Sequence, residues 1–557
     1  MLQKFTVMIT ALLFMLTAYF GTAVALQNTA GQSAQLDELF SAWDSENTPG
    51  CAVGVSAGGS PVISRAWGMA DLEHMIPNSP STIFEAGSVS KQFVTAAVIL
   101  LHLDGKLNIE DDIREYVPEL PDYGHIITLR HLMNHTAGLR DWGAVTSISG
   151  WGRGQRTHNH DHVLDILSRQ TRLNFQPGER YSYSNSGYNL LAIVVERVAG
   201  MPFAEFTDDK LFGPLGMAST QWRDDYTRIV PGRSSAYSGN ENSGNFSINR
   251  PIENVHGNGG LLTTVGDLLT WNHAIATEHF GDEFNDQFLK QAVLGSGRTI
   301  AYASGVQVSS DHGQPQVVHT GATSGYRAYL AYYPERDLSV ALLCNVTGAN
   351  PGRLGSAISK IYLGDDAAES EREEPEGVTL SSEQLIARMG IWKDPRNFRP
   401  LEIKLDNGVL KVNDGPELIP LSPDRFKVTG SDIEYTFMTP NDVHRPFIRV
   451  NREGYVEELL RPARAADYEA LNLELYTGRF ESRDAETVIT IREEEGKLVA
   501  HRSPSDTFEL VPVYEDTFLA RGFGLIRFNR TSDGRPASFT YSSGRVYDLR
   551  FNRVAGR

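Results

Sequence analysis

Between Asp365 and Glu376 the chain carries seven acids against one arginine, with Pro375 inside the run and Gly377 just beyond it. Such a run has almost nothing to bury and reads as a solvated linker. It divides the 557 residues into two stretches of different character. Before it, strands are interleaved with apolar and amphipathic helices, the pattern of a mixed α/β domain. After it come short alternating runs between turn signals, the pattern of small all-β units. The second stretch also repeats itself. Gly390-Ile391-Trp392 is answered by Gly478-Arg479-Phe480, Asn407–Val412 by Glu495–Ala500, and Glu417–Phe426 by Glu509–Phe518. Matched order and spacing make this a duplication, and the expectation is two small antiparallel β-barrels. The boundaries are set at 1–25 for a leader, 26–364 for the α/β domain, 365–380 for the linker, and 381–465 and 466–557 for the barrels.

Residues 1–25 read as a secretory signal. Lys4 supplies the basic start, Phe5 to Phe20 the apolar stretch, and Ala23-Val24-Ala25 a small-x-small cleavage site. The alternative is an uncleaved membrane anchor, since the apolar stretch is nearly long enough to span a bilayer. Cleavage leaves no other segment for stable membrane insertion, and the protein is expected to be periplasmic or secreted. A formal charge of −18 argues against nucleic acid as a partner. Cys51 and Cys344 each sit in an expected buried strand, and whether they pair or pack as free thiols stays open.

Within the α/β domain the pattern predicts a helix over Gln35–Trp43, strands over Cys51–Ala57 and Pro61–Gly68, and a buried helix from Phe93 to Leu103. Thr128 and Asp161 are expected to cap two further helices, and a buried helix is expected from Tyr188 to Val198. Strands return from Val317 to Val346, and Asn350 caps a last helix to Leu363.

Ser88-Val89-Ser90-Lys91 opens the Phe93 helix and puts Ser88 and Lys91 on one face, one turn apart. Desolvation lowers a lysine pKa, and the neutral amine can then take or relay a hydroxyl proton. The helix N-terminus adds N–H groups suited to a developing oxyanion. Two more stretches join it: Tyr183-Ser184-Asn185 ahead of a buried helix, and His319-Thr320-Gly321 at the start of an apolar strand. Ser-x-x-Lys, Tyr-x-Asn and His-x-Gly in this order resemble the serine β-lactamase and penicillin-binding-protein superfamily, in its class C-like branch. Gly105-Lys106-Leu107, His131–Leu139, Phe212–Met217 and Gly259–Thr263 match the same family's framework. The resemblance implies a β-lactamase-like catalytic domain, an antiparallel sheet flanked by helices, ahead of the two barrels.

It also implies roles. Ser88 attacks the acyl carbon, Lys91 eases its deprotonation, and Tyr183 relays the proton and then activates water. Asn185 hydrogen-bonds Lys91 and the substrate amide, and the N–H groups of Ser88 and Ala322 form the oxyanion hole. Thr320 and Gly321 line the site. His319 stands where many relatives have lysine; it orients Tyr183, or meets a substrate carboxylate when charged. A tyrosine is a poor base unless cations lower its pKa, and Lys91 and His319 are the two cations available for that. Arg327 is either a carboxylate anchor or an ordinary surface arginine. His158, His160 and His162 alternate ahead of the Asp161 cap, and their spacing reads as a solvated helix entry rather than a metal site. Neither a metal nor an organic cofactor is expected.

Superfamily does not fix substrate. The His-Thr-Gly motif with two C-terminal barrels resembles D-aminopeptidase architecture, in which the last barrel sends a loop into the cleft. A peptidase or amidase for D-amino-acid-containing peptides, of the D-aminopeptidase or D-alanyl-D-alanine carboxypeptidase type, is therefore the leading expectation. A β-lactamase-like carboxylesterase is the alternative, ahead of a β-lactamase or a non-enzymatic penicillin-binding sensor. The expected partner is a small-molecule or short-peptide substrate. The sequence leaves open whether the barrels gate the cleft, bind wall polymer or make a homodimer. The hairpin Ala520–Gly524 is a candidate cover for the cleft, an ordinary hairpin tip being the plainer reading.

Overall fold

The computed structural model describes residues 29–240, 244–364, 374–438, 446–467, 471–502, 506–532 and 534–554. The expected leader and residues 365–373 of the acidic run lie outside the described residues.

A six-stranded antiparallel sheet frames the first domain, in the order Gln307–Asp311, Gln314–Thr323, Tyr326–Tyr333, Leu338–Cys344, Cys51–Ala57, Ser60–Trp67. The domain's first and last strands are therefore neighbours. Cys51 faces Cys344 in register and is disulfide-bonded to it across 293 residues of sequence. Period-two alternation sorts the first strand onto two faces. Cys51, Val53 and Val55 pack with Leu36, Phe40, Leu354 and Ile358, from the helices Ala30–Phe40 and Pro351–Leu363. Ala52 turns to the opposite face, onto which the helix Val265–Ala276 packs, with the helices Lys91–Leu103 and Asn185–Ala199 in the same apolar cluster. The Lys91–Leu103 helix is buried along almost its whole length, as its nearly unbroken apolar run requires.

Three helix starts differ from expectation, each because a cap was supplied differently. The first helix begins at Ala30, where Thr29 and Gln32 cap each other reciprocally, and not at Gln35. Asn159, not Asp161, caps the helix His160–Ser168; Asp161 lies in its first turn, where a negative charge suits the dipole. The helix expected at Tyr188 begins at Asn185, because the Asp141 carboxylate accepts a 2.8 Å hydrogen bond from the Asn185 N–H. That cap comes from a distant loop and leaves no local signal.

Both C-terminal units are up-and-down antiparallel sheets. In each, the first strand (Gly390–Lys393 or Gly478–Ser482) pairs with both the next strand and the last. The second unit is a closed barrel of eight strands, Gly478 to Val554. The first is an eight-stranded sheet whose end strands, Val409–Val412 and Leu418–Ser422, are joined by a single bridge between Lys411 and Glu417. Their cores differ in attachment. The first barrel buries its own cluster around Phe426 and Ile448, whereas Phe480, Phe528 and Phe539 of the second belong to one apolar cluster with the α/β domain. Arg140, 1% exposed, crosses that junction to pair with Asp484 at 2.7 Å.

Candidate active site

Ser88 lies in a 3₁₀ turn, Gly87–Ser90, between the strand Phe84–Glu85 and the helix that starts at Lys91. Two glycines let this turn meet the His-Thr-Gly strand backbone to backbone. Gly87 has φ +51°, and a Cβ there would sit 2.6 Å from the Ala322 nitrogen. A Cβ on Gly321 would sit 2.0 Å from the Ala86 carbonyl oxygen and 3.1 Å from the Ser88 nitrogen. Only side-chain-free positions bring the amides of Ser88 and Ala322 this close, the arrangement an oxyanion needs.

The Lys91 side chain is wholly buried. Its Nζ lies 3.1 Å from Ser88 Oγ, 3.1 Å from Asn185 Oδ1 and 2.6 Å from the Asn258 carbonyl oxygen. Burial, and then the guanidinium groups of Arg153 and Arg545, hold its pKa well below the ordinary lysine value. The result is an amine that is readily neutral and already oriented at the serine hydroxyl. Asn185 keeps this geometry from the first turn of its helix, which Asp141 caps.

The Tyr183 hydroxyl is buried, with the Ser88 hydroxyl as its neighbour but no well-formed hydrogen bond among the described residues, and Lys91 Nζ lies 4.8 Å from its ring. Burial pushes its pKa up, only partly offset by the Ser88 hydroxyl. The expected lowering by two cations is therefore not what the site provides. Tyr183 is held as the neutral phenol rather than as a standing phenolate.

His319 departs from expectation in the same sense. Burial, and then the Lys91 amine, push it down to about 3, so the ring is neutral and does not meet a carboxylate as a cation. Its Nδ1 lies 2.6 Å from the Thr320 carbonyl oxygen, which can only accept. The proton is thereby assigned to Nδ1, and Nε2 accepts from the Tyr302 hydroxyl at 3.0 Å. Both nitrogens are engaged, and Tyr302 emerges as a positioning residue that no motif marked. Tyr302→Phe is expected to lower stability by about 1–3 kcal/mol by leaving a buried acceptor unpaired. Chemical denaturation of the variant checks this.

The cavity over Ser88 has a volume of about 470 Å³, and Thr320, Gly321 and Ala322 line it as expected residues of the site. Three arginines also line it. Arg153 donates from Nε and Nη2, one edge of its guanidinium, to the two carboxylate oxygens of the buried Glu253. Arg545 comes from the last barrel, lies 3.7 Å from Asp141 and sits 5.0 Å over the Tyr183 ring. Arg327 donates to the Ser324 and Tyr326 carbonyls and has no carboxylate within ion-pair distance among the described residues. The barrel thus reaches the site through the segment around Arg545 and not through Ala520–Gly524. Phe523 of that hairpin stacks on Phe508 at 4.6 Å, away from the catalytic cavity.

The histidine run is not a solvated entry. His158 is 2% exposed with its ring against Trp142, and the His160 ring packs on His256. Among the described residues no group of three or more His, Cys, Asp or Glu side chains is arranged to hold a metal. Arg545, Asp141, Asn258, Tyr302 and Arg153 were not found from sequence motifs. Asp141 lies two positions beyond the His131–Leu139 framework segment, which is the one signal that pointed near it.

A D-aminopeptidase from Cereibacter sphaeroides (strain KD131 / KCTC 12085) is 28% identical over 381 residues, covering 68% of this chain and 70% of that protein. A D-aminopeptidase from Brucella anthropi is 25% identical over 416 residues, covering 74% of each. The octameric penicillin-binding protein homologue from Pyrococcus abyssi superposes with a TM-score of 0.54 at 22% identity, over 77% of this chain and 99% of that one. At that identity the likeness is one of fold. The Beta-lactamase family model matches residues 36–360, the stretch that holds the Ser88 turn, the Tyr183–Asn185 segment and the His319 strand. With more than half of its length matched, this chain belongs to the Beta-lactamase family of serine hydrolases.

Proposed function

We propose that this chain is an exported peptidase or amidase for substrates containing D-amino acids, working through an acyl-enzyme on Ser88. The carrying observation is the buried Lys91 amine, depressed in pKa and hydrogen-bonded to Ser88. Neutral Lys91 takes the Ser88 proton as Oγ attacks the acyl carbon. The carbonyl oxygen, now negative, meets the Ser88 and Ala322 N–H groups, worth about 3–4 kcal/mol per donor. The proton then passes from Lys91, with the Tyr183 phenol as relay, to the leaving nitrogen as the C–N bond breaks. In the second half Lys91 and Tyr183 take a proton from water as its oxygen attacks the ester, and Ser88 leaves with that proton. Asn185 holds Lys91 and offers its amide to the substrate.

The D-stereospecific reading is supported by the D-aminopeptidase relatives. Arg327 supports a substrate carrying a carboxylate near the reacting carbonyl. With His319 neutral, Arg327 is the cavity arginine left without a carboxylate partner among the described residues. Export is supported by the leader-like residues 1–25 and by the Cys51–Cys344 bond, which fits an oxidising compartment.

Purified enzyme is expected to cleave D-alanine p-nitroanilide and D-Ala-D-Ala peptides and to leave the L-isomers intact. Arg327→Ala should raise KM for the carboxylate-bearing peptide by about tenfold, the order of one charge-assisted hydrogen bond, and spare the anilide. Rapid cleavage of p-nitrophenyl acyl esters with no turnover of any D-residue substrate would make the protein an esterase instead.

A further inference from the structure

A second cavity, of about 450 Å³, lies where the catalytic domain meets both barrels. We propose that it is a binding subsite for the extended part of a peptide substrate that carries a carboxylate, a proposal that rests on the peptidase reading above.

Continuity with the catalytic cavity comes first. Gln307 lines both cavities. Tyr302, which donates to His319, forms part of the second cavity's wall. Tyr547 stands on the same wall, two positions from Arg545 over Ser88's cavity. The two cavities are thus neighbours across Gln307, and a chain extending from the reacting carbonyl past that residue is directed toward this space. A cavity of this size holds a few residues of peptide.

Charge sets the class of ligand. The acids on its walls are already paired, Glu458 sharing Arg180 with Asp394. Glu179 is bound by Arg396, Glu457 by Arg298 and Arg452, and Glu458 by Arg180. Arg399 lines the same cavity and has no carboxylate within ion-pair distance among the described residues. The lining itself carries four arginines against three glutamates, and Arg399 is the arginine among them left open to a ligand. The tyrosines of the wall add flat apolar surface for side chains beside the carboxylate. The first barrel, which supplies Arg399 and Val456, lies outside the 36–360 family match; this subsite gives it a task in the reaction.

The test uses the full-length enzyme and three substrates with one scissile D-alanyl bond: the unextended anilide, a peptide extended through glutamate, and the same peptide with glutamine. The glutamate peptide is expected to be the best substrate. Arg399→Ala should lower its kcat/KM by about tenfold, the glutamine peptide's by less, and leave the anilide unchanged. Val456→Trp, which fills the cavity, should lower both peptides and spare the anilide. If both variants treat all three substrates as the wild type does, the subsite is refuted while the peptidase reading stands. If the wild type turns over none of the three, the peptidase reading falls and the subsite with it.

Discussion

Ser88→Ala is expected to abolish turnover and covalent capture by a β-lactam or a fluorophosphonate, with a loss in kcat on the order of 10⁶-fold. Lys91→Met should cost nearly as much, because the two groups act as one unit: the amine 3.1 Å from Ser88 Oγ is the only side-chain amine bonded to it among the described residues. The double variant should then be no worse than either single one. Labelling followed by intact-mass measurement checks the covalent step, and residual acylation of Ser88→Ala would remove Ser88 from the mechanism. The pH dependence has a definite sign. In the proposed mechanism Lys91 works as the free amine, and burial with two nearby arginines lowers its pKa, so kcat/KM should fall as pH drops through that lowered value. His319, at about 3, stays neutral over the same window, and so the acid limb belongs to Lys91. An acid limb that survives unchanged in a slow but measurable Lys91 variant would contradict this.

Asp484→Ala is expected to destabilise the protein by about 3–5 kcal/mol, since it leaves the Arg140 guanidinium buried without its counter-ion. The remaining bonds of Arg140, to Gln170 and to the Tyr547 and Asp548 carbonyls, cannot neutralise it. Function should suffer as well. The next residue, Asp141, both caps the Asn185 helix and faces Arg545, so loosening the barrel disturbs the Lys91 partner and the cavity wall together. Asp484→Asn keeps acceptor atoms for Arg140 and Thr171 and should lose less. Glu486→Ala removes an exposed partner of Arg169 in the same barrel and should change stability by no more than about 1 kcal/mol. Urea unfolding of the three variants separates these outcomes; equal midpoints for Asp484→Ala and Glu486→Ala would show that the barrel is not pinned by this pair. The shared apolar cluster also means that removing residues 470–557 exposes catalytic-domain core, so point variants report on the barrel's role more cleanly than truncation.

Local pattern was enough for much of this protein. The Ser88–Lys91 spacing, the unbroken apolar run behind it and the order of the three motifs were legible because helix periodicity and short motifs are properties of neighbouring residues. The barrel pair was legible because a duplication is read by comparing the chain with itself. Tertiary structure decided the rest, through groups brought together from far along the chain. Asp141 caps a helix that starts at Asn185, Cys51 meets Cys344 because the first and last strands of one sheet are neighbours, and Arg545 reaches a cavity built by residues of another domain. Charge states belong to the same category. Lys91 and His319 look like two cations in the sequence, yet burial, which only the folded molecule confers, favours the neutral form of both and leaves Tyr183 a protonated phenol. The Ser-x-x-Lys motif thus specified which two side chains meet, and desolvation within the fold favours the neutral form of the amine between them.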